Sequence, residues 1–192
     1  MIASKDRAGW FGASDTAMIT GSWVSDSFTR WWLQKLGINR DSFENQFTLA
    51  GTHYEHRILE SLGIPMELDR QVVIDDLLLR VNLDGDDGST IYECKTFRYA
   101  KGYTLPQKHM SQVQVQMFAT GIRRAEIVAY GLVSEDYGNY FRPIDQSRLE
   151  RISLPYNEPW VTDVYLPRLR FLADCLRTGR FPRAKDFRSV DI

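Results

Sequence analysis

The chain has 192 residues, 43% of them hydrophobic, with 24 Lys and Arg set against 25 Asp and Glu. That length suits one sizeable domain, residues 1–192, rather than two. A formal net charge of −1 argues against a protein that coats nucleic acid by bulk charge, while leaving room for a local basic groove.

No apolar run approaches the roughly 18 residues of a membrane span, and the N-terminal MIASKDRAGWFG lacks the apolar core of a signal peptide. Cys94 and Cys175 are too few for a four-thiolate cluster or a disulfide framework, so a reducing cytoplasm is expected.

In chain order, GASDTAMITG reads as a short helix with Ser14 or Asp15 near its N-cap and Gly21 past its end. SDSFTRWWLQKLG reads as a second helix, capped at Ser25 and stopped at Gly37; Trp31 and Trp32 are expected in the core. GTHYEHRILESLG reads as a third, ending at Gly63, with Ile58, Leu59 and Leu62 on its apolar stripe. The texture then changes. QVVIDDLLLRVNLDG and TIYECKTF read as strands joined by the turn signal DGDDGS. PQKHMSQVQVQMFATG is a predicted helix, AEIVAYGLV an apolar strand and NYFRPI an edge strand. EPWVTDVYLPRLRFLADCLRTG closes the chain as a long helix, with a kink expected at Pro167. The order predicts an α/β domain with a central mixed sheet flanked by helices.

IYECKTF puts opposite charges two residues apart. On a strand, Glu93 and Lys95 share a face with Ile91, while Tyr92, Cys94 and Thr96 line the other and are expected to face the core. Asp84 ends the preceding strand, and a hairpin would set it beside Glu93. Two converging carboxylates suit Mg²⁺ or Mn²⁺, and the backbone carbonyl of Cys94 could add a third oxygen. A lysine beside such an ion can orient or deprotonate a water, or neutralise a phosphate. The plainer reading of the same residues is a strand-edge salt bridge.

Four stretches, in order, resemble the PD-(D/E)XK nucleases of the phage lambda exonuclease type, the YqaJ-like viral recombination nucleases. RAGWFGAS (Arg7 to Ser14) is similar to the family's N-terminal R-x-G-x-x-[TG]-A-S, and GTHYE (Gly51 to Glu55) to its G-x-x-x-E helix motif. DGDDGSTIYECK carries the D…(D/E)xK core, and HMSQVQVQMFATG (His109 to Gly121) is similar to its Y-x-x-Q-V-Q helix. Together they span residues 7 to 121, about 60% of the chain.

The resemblance implies a restriction-endonuclease-like core and a role for each matching residue. Asp84, Glu93 and the Cys94 carbonyl would hold a metal, Glu55 would complete a second metal site, and Lys95 would position or activate the attacking water. Gln112 would contact the water or the scissile phosphate. Arg7 and Ser14 would bind a terminal 5′-phosphate, with Lys101 and nearby Arg98 as further basic contacts. The implied activity is a 5′-to-3′ exonuclease on linear double-stranded DNA, using two Mg²⁺ or Mn²⁺ ions. It would release 5′-mononucleotides and leave 3′ overhangs for recombination. A ring-shaped homotrimer, a single-strand annealing partner and a phage or prophage gene acting in the host cytoplasm are implied too.

The chain departs from the family at three places. Asn82-Leu83 precede Asp84 where Ser-Pro is often found, His109-Met110 replace the usual aromatic position, and Lys101 replaces an arginine, losing its bidentate geometry. Rival readings are a Cas4-like or RecB-like single-strand nuclease, and a catalytically idle DNA-binding module on the same fold. Metal-free hydrolysis by Ser14 with His53 lacks an acid or oxyanion motif. His53 and His56 read as surface residues. Phe47 and Leu49 are candidates for a wedge at the duplex end, and Arg177, Arg180, Arg183, Lys185 and Arg188 read as a solvated basic surface.

Overall fold

The computed structural model describes residues 8–38 and 46–189. Phe11 pairs in parallel with Leu79, its N–H donating to Leu78 O at 2.7 Å. A tight turn, Ala13–Asp15, then leads into helix α1 (Thr16–Thr20). Asp15 is the N-cap, but its carboxylate turns away from the helix into the core. There it accepts from Gly12 N at 2.7 Å and Trp31 Nε1 at 2.8 Å, and it pairs with buried Lys35. Trp31 and Trp32 lie on α2 (Asp26–Lys35), buried against Phe11 and Phe28. Ser25 caps α2 as expected, its Oγ accepting from Phe28 N at 3.1 Å. Helix α3 (Gln46–Glu60) starts upstream of the predicted Gly51.

Five strands form one mixed sheet in the order β1-β4-β5-β6-β7: β1 (Glu67–Leu68), β4 (Gly85–Asp86), β5 (Ile91–Arg98), β6 (Arg124–Leu132) and β7 (Leu149–Pro155). β5 and β6 run parallel, joined by a crossover through α4 (Gln107–Thr120); the other neighbours are antiparallel. QVVIDDLLLRVN makes a separate hairpin of β2 (Gln71–Ile74) and β3 (Leu79–Asn82), turned by Leu78 in the left-handed region.

β5 divides two cores. Ile91 packs with Val113, Met117 and Ile127 on one face; Tyr92 and Cys94 pack with Tyr54, Ile58, Leu59 and Tyr130 on the other. The faces are those predicted from the strand's alternation.

NYFRPI is not a strand. Arg57 of α3 donates to the carbonyls of Tyr140, Phe141 and Arg142, Tyr54 Oη donates to Asn139 O at 3.0 Å, and Pro143 has no N–H. Those groups are withdrawn from any ladder, and the sheet ends at β7 on the side beyond β6. The long C-terminal helix opens as a π-helical turn, Trp160–Tyr165, before α5 (Leu166–Arg177). The wide turn accommodates Pro167, which has no N–H to return to the turn before it. A last helix, α6 (Ala184–Ser189), was not expected from the sequence. Among the described residues, no helix is long and apolar enough to cross a membrane.

Candidate active site

Asp84 sits at the mouth of the β4–β5 hairpin, where Gly85 pairs with Tyr92. Its Oδ2 accepts from Cys94 N at 2.8 Å. Gly85, next to Asp84, lets the hairpin pack closely: a Cβ there would lie 2.7 Å from Met66 Sδ and 3.2 Å from Leu59 Cδ1. Glu93 is 1% exposed, and its oxygens are held by three donors. Lys95 and Gln112 donate to Oε1 and Gln116 donates to Oε2. Glu55 comes from α3. Gly51, one turn earlier, brings that helix against β5, since a Cβ there would sit 3.3 Å from Thr96 Oγ1.

The carboxylates repel one another. Burial, then Glu93 and Glu55, push the Asp84 carboxyl well above its ordinary range, and burial followed by Glu93 raises Glu55 as well. Burial disfavours the Lys95 ammonium, but Glu93 and Asp84 outweigh that and hold its pKa above the usual lysine value. In the metal-free site Lys95 is therefore a cation held by the two acids, placed to contact a water or a phosphate oxygen. Burial and the three acids push the Cys94 thiol up, which removes it as a nucleophile.

This donor set fits a divalent cation. Asp84, Glu55 and Glu93 supply hard oxygens whose repulsion a cation relieves. Three donors occupy Glu93, leaving one of a carboxylate's roughly four acceptor positions free. A strand residue's C=O points to the same side as its N–H, so the Cys94 carbonyl faces the Asp84 side. Asp69, in the left-handed region at φ 57°, adds an acid that the sequence did not single out. One ligand atom each from Glu55, His56 and Asp69 lies within 4.8 Å of the others, and His56 Nε2 is 3.1 Å from Asp69 Oδ2. His53 does not join them; its ring stacks on Tyr140 at 4.7 Å.

By sequence, the chain matches no protein-family model and no curated protein. Solved structures match it by shape. LHK-Exo in complex with dAMP aligns with a TM-score of 0.67 at 16% identity, over 90% of each chain. A second structure of LHK-Exo, an alkaline exonuclease from Laribacter hongkongensis, aligns at 0.62 and 16%, covering 90% of this chain and 94% of that one. A phage-related exonuclease from Haemophilus somnus 129PT aligns at 0.61 and 12%, over 88% and 96%. The fold is that of these exonucleases. The mixed sheet flanked by helices is thus shared with these exonucleases over most of the chain.

The other predicted residues stand as follows. Ser14 is exposed on the turn before α1, and Arg7 lies outside the described residues. Arg98 ends β5 and Lys101 closes the turn that follows; both are exposed. Leu49 is 42% exposed on α3, whereas the side chain of Phe47 falls outside the described ones. Gln112 and Gln116 were legible as one helix face, but their shared target, Glu93, was not. Gln114 instead ties α4 to the end of β7, donating to Pro155 O at 3.0 Å and accepting from Asn157 N at 2.6 Å. In the C-terminal basic group, Arg177 pairs with Asp174 at 2.9 Å, and Arg180 and Arg183 with Asp186 at 3.6 and 3.3 Å.

Proposed function

We propose that the chain is a metal-dependent exonuclease. It degrades the 5′-ended strand of linear double-stranded DNA and leaves 3′ overhangs. The observation that carries this reading is the mutual repulsion of Asp84, Glu93 and Glu55 beside Lys95 of β5, in a fold shared with solved exonucleases. Mg²⁺ or Mn²⁺, as two ions held by Asp84, Glu93, Glu55 and the Cys94 carbonyl, would supply Lewis acidity at the scissile phosphate and lower the pKa of the attacking water.

The chain's own residues do the positioning. Lys95 and Gln112 lie beside Glu93 to orient the water and the phosphate, and Gln116 holds Glu93 from behind. Ser14 and Arg7, with Lys101 and Arg98, take the terminal 5′-phosphate, Arg7 through its two-pronged guanidinium. LHK-Exo binds dAMP, a nucleotide of the size this reaction releases. A ring-shaped homotrimer, an annealing partner and a role in recombination complete the proposal.

The test is digestion in Mg²⁺ of a 5′-phosphorylated linear duplex beside a 5′-hydroxyl duplex, a closed circle and a single strand. Loss of the phosphorylated linear duplex alone supports the reading. Cutting of the circle or the single strand favours the Cas4-like or RecB-like alternative. No cutting in Mg²⁺ or Mn²⁺ favours the idle DNA-binding module.

A further inference from the structure

Beside the acids, Tyr103 and His109 form a pair that the roles above leave unused. His109 lies one turn before Gln112 and two before Gln116, so the three share one stripe of α4, and the two glutamines reach Glu93. On β5, Phe97 continues the face of Glu93 and Lys95. Tyr103 joins the two elements. Its ring lies 5.2 Å from Phe97 and stacks on the His109 imidazole at 6.4 Å, with 13° between the planes.

The Tyr103 hydroxyl is 3.1 Å from His109 Nδ1. A phenol is the better donor of this pair and an imidazole nitrogen the better acceptor, which leaves the ring proton on Nε2. Both side chains are half-buried. Burial, then Lys95 and Lys108, push the His109 pKa down to about 4, so the ring is neutral. A neutral donor can bind a phosphate oxygen without competing with a metal for the acids.

We propose that His109 contacts the substrate, its Nε2–H oriented by Tyr103 to donate to a phosphate oxygen of the DNA strand held beside Lys95. This rests on the nuclease reading. Wild type, His109→Phe, His109→Gln and Tyr103→Phe are assayed in Mg²⁺ on a 5′-phosphorylated linear duplex, with kcat and KM separated and melting temperatures measured alongside. His109→Phe keeps an aromatic ring but no N–H, and is expected to lose about ten- to a hundredfold in kcat/KM with little change in melting. His109→Gln places an amide N–H near the Nε2 position and is expected to recover most of the rate. Tyr103→Phe, which frees the imidazole to change tautomer, is expected to fall between them. A fully active His109→Phe, or a loss that tracks a lowered melting temperature and is not rescued by glutamine, overturns the inference alone. An inactive wild type overturns the nuclease reading and this inference with it.

Discussion

Lys95 donates to Glu93 from two residues away on the same face of one strand. The lysine is 22% exposed and the glutamate 1%, so the bond lies at the floor of the site rather than on its rim. The pair separates two roles that are often confounded. Lys95→Ala should lower the cleavage rate by about 10²–10³-fold, because a fixed cation is lost where negative charge builds up. The same change removes a charge that repels a bound cation, so Mg²⁺ should bind the variant more tightly. Calorimetric titration with Mg²⁺ beside single-turnover kinetics checks both halves. A variant with weaker Mg²⁺ binding would show that the lysine organises the ligands instead.

The two glutamines on Glu93 should differ in what they cost. Gln116 is fully buried, and Gln116→Leu strands a buried carboxylate oxygen. A loss of about 1–3 kcal/mol in urea unfolding is expected. Gln112 is only half-buried, so water can take its place. Gln112→Leu should cost under about 1 kcal/mol while still slowing cleavage. Equal stabilities for the two variants would contradict the unequal burial.

The acids set a pH dependence for the metal-free protein. Asp84 and Glu55 have pKa values raised above the ordinary 3.8 and 4.5. The folded state therefore binds protons more tightly than the unfolded chain. Stability from these groups is fully present below those ordinary values and is lost as pH rises through the raised ones. In EDTA the melting temperature should fall across that interval, and Asp84→Asn should flatten the fall. Added Mg²⁺ favours the ionised carboxyls, so its stabilising effect should grow with pH. A melting curve in EDTA that rises through the same interval would show that the acids do not repel as described.

Gly85 tests the mount. A methyl group there meets the end of a flexible Met66 side chain at 2.7 Å. Gly85→Ala should cost about 1–3 kcal/mol and slow cleavage by shifting Asp84. Adding Met66→Ala should return part of the rate, measured as a double-mutant cycle. Strict additivity of the two changes would argue that the contact is not what constrains Asp84.

Much of this centre was legible because its signals are local. Glu93 and Lys95 declare their shared face by strand alternation, and Ser25 announces its helix by cap chemistry. The residues that escaped are those whose partner is distant in sequence. Asp69 lies near Glu55 only because the backbone turns through a left-handed conformation, and Gln116 meets Glu93 only after the crossover folds back. NYFRPI has strand-like composition, yet Arg57, far upstream, takes its carbonyls. The long helix was readable in extent, but the π turn that accommodates Pro167 depends on how it packs.

The alternation of β5 has a consequence for assembly of the sheet. A slip of one residue against β6 would exchange the strand's faces. Glu93 and Lys95 would then enter the apolar cluster around Tyr54 and Tyr130, and Tyr92 and Cys94 would turn toward α4. Two charges among aromatic rings would be left without Gln112 and Gln116 to receive them. The charged pair thus also fixes the register of the strand that bears it, and misaligned pairings are rejected by the residues proposed to cut DNA.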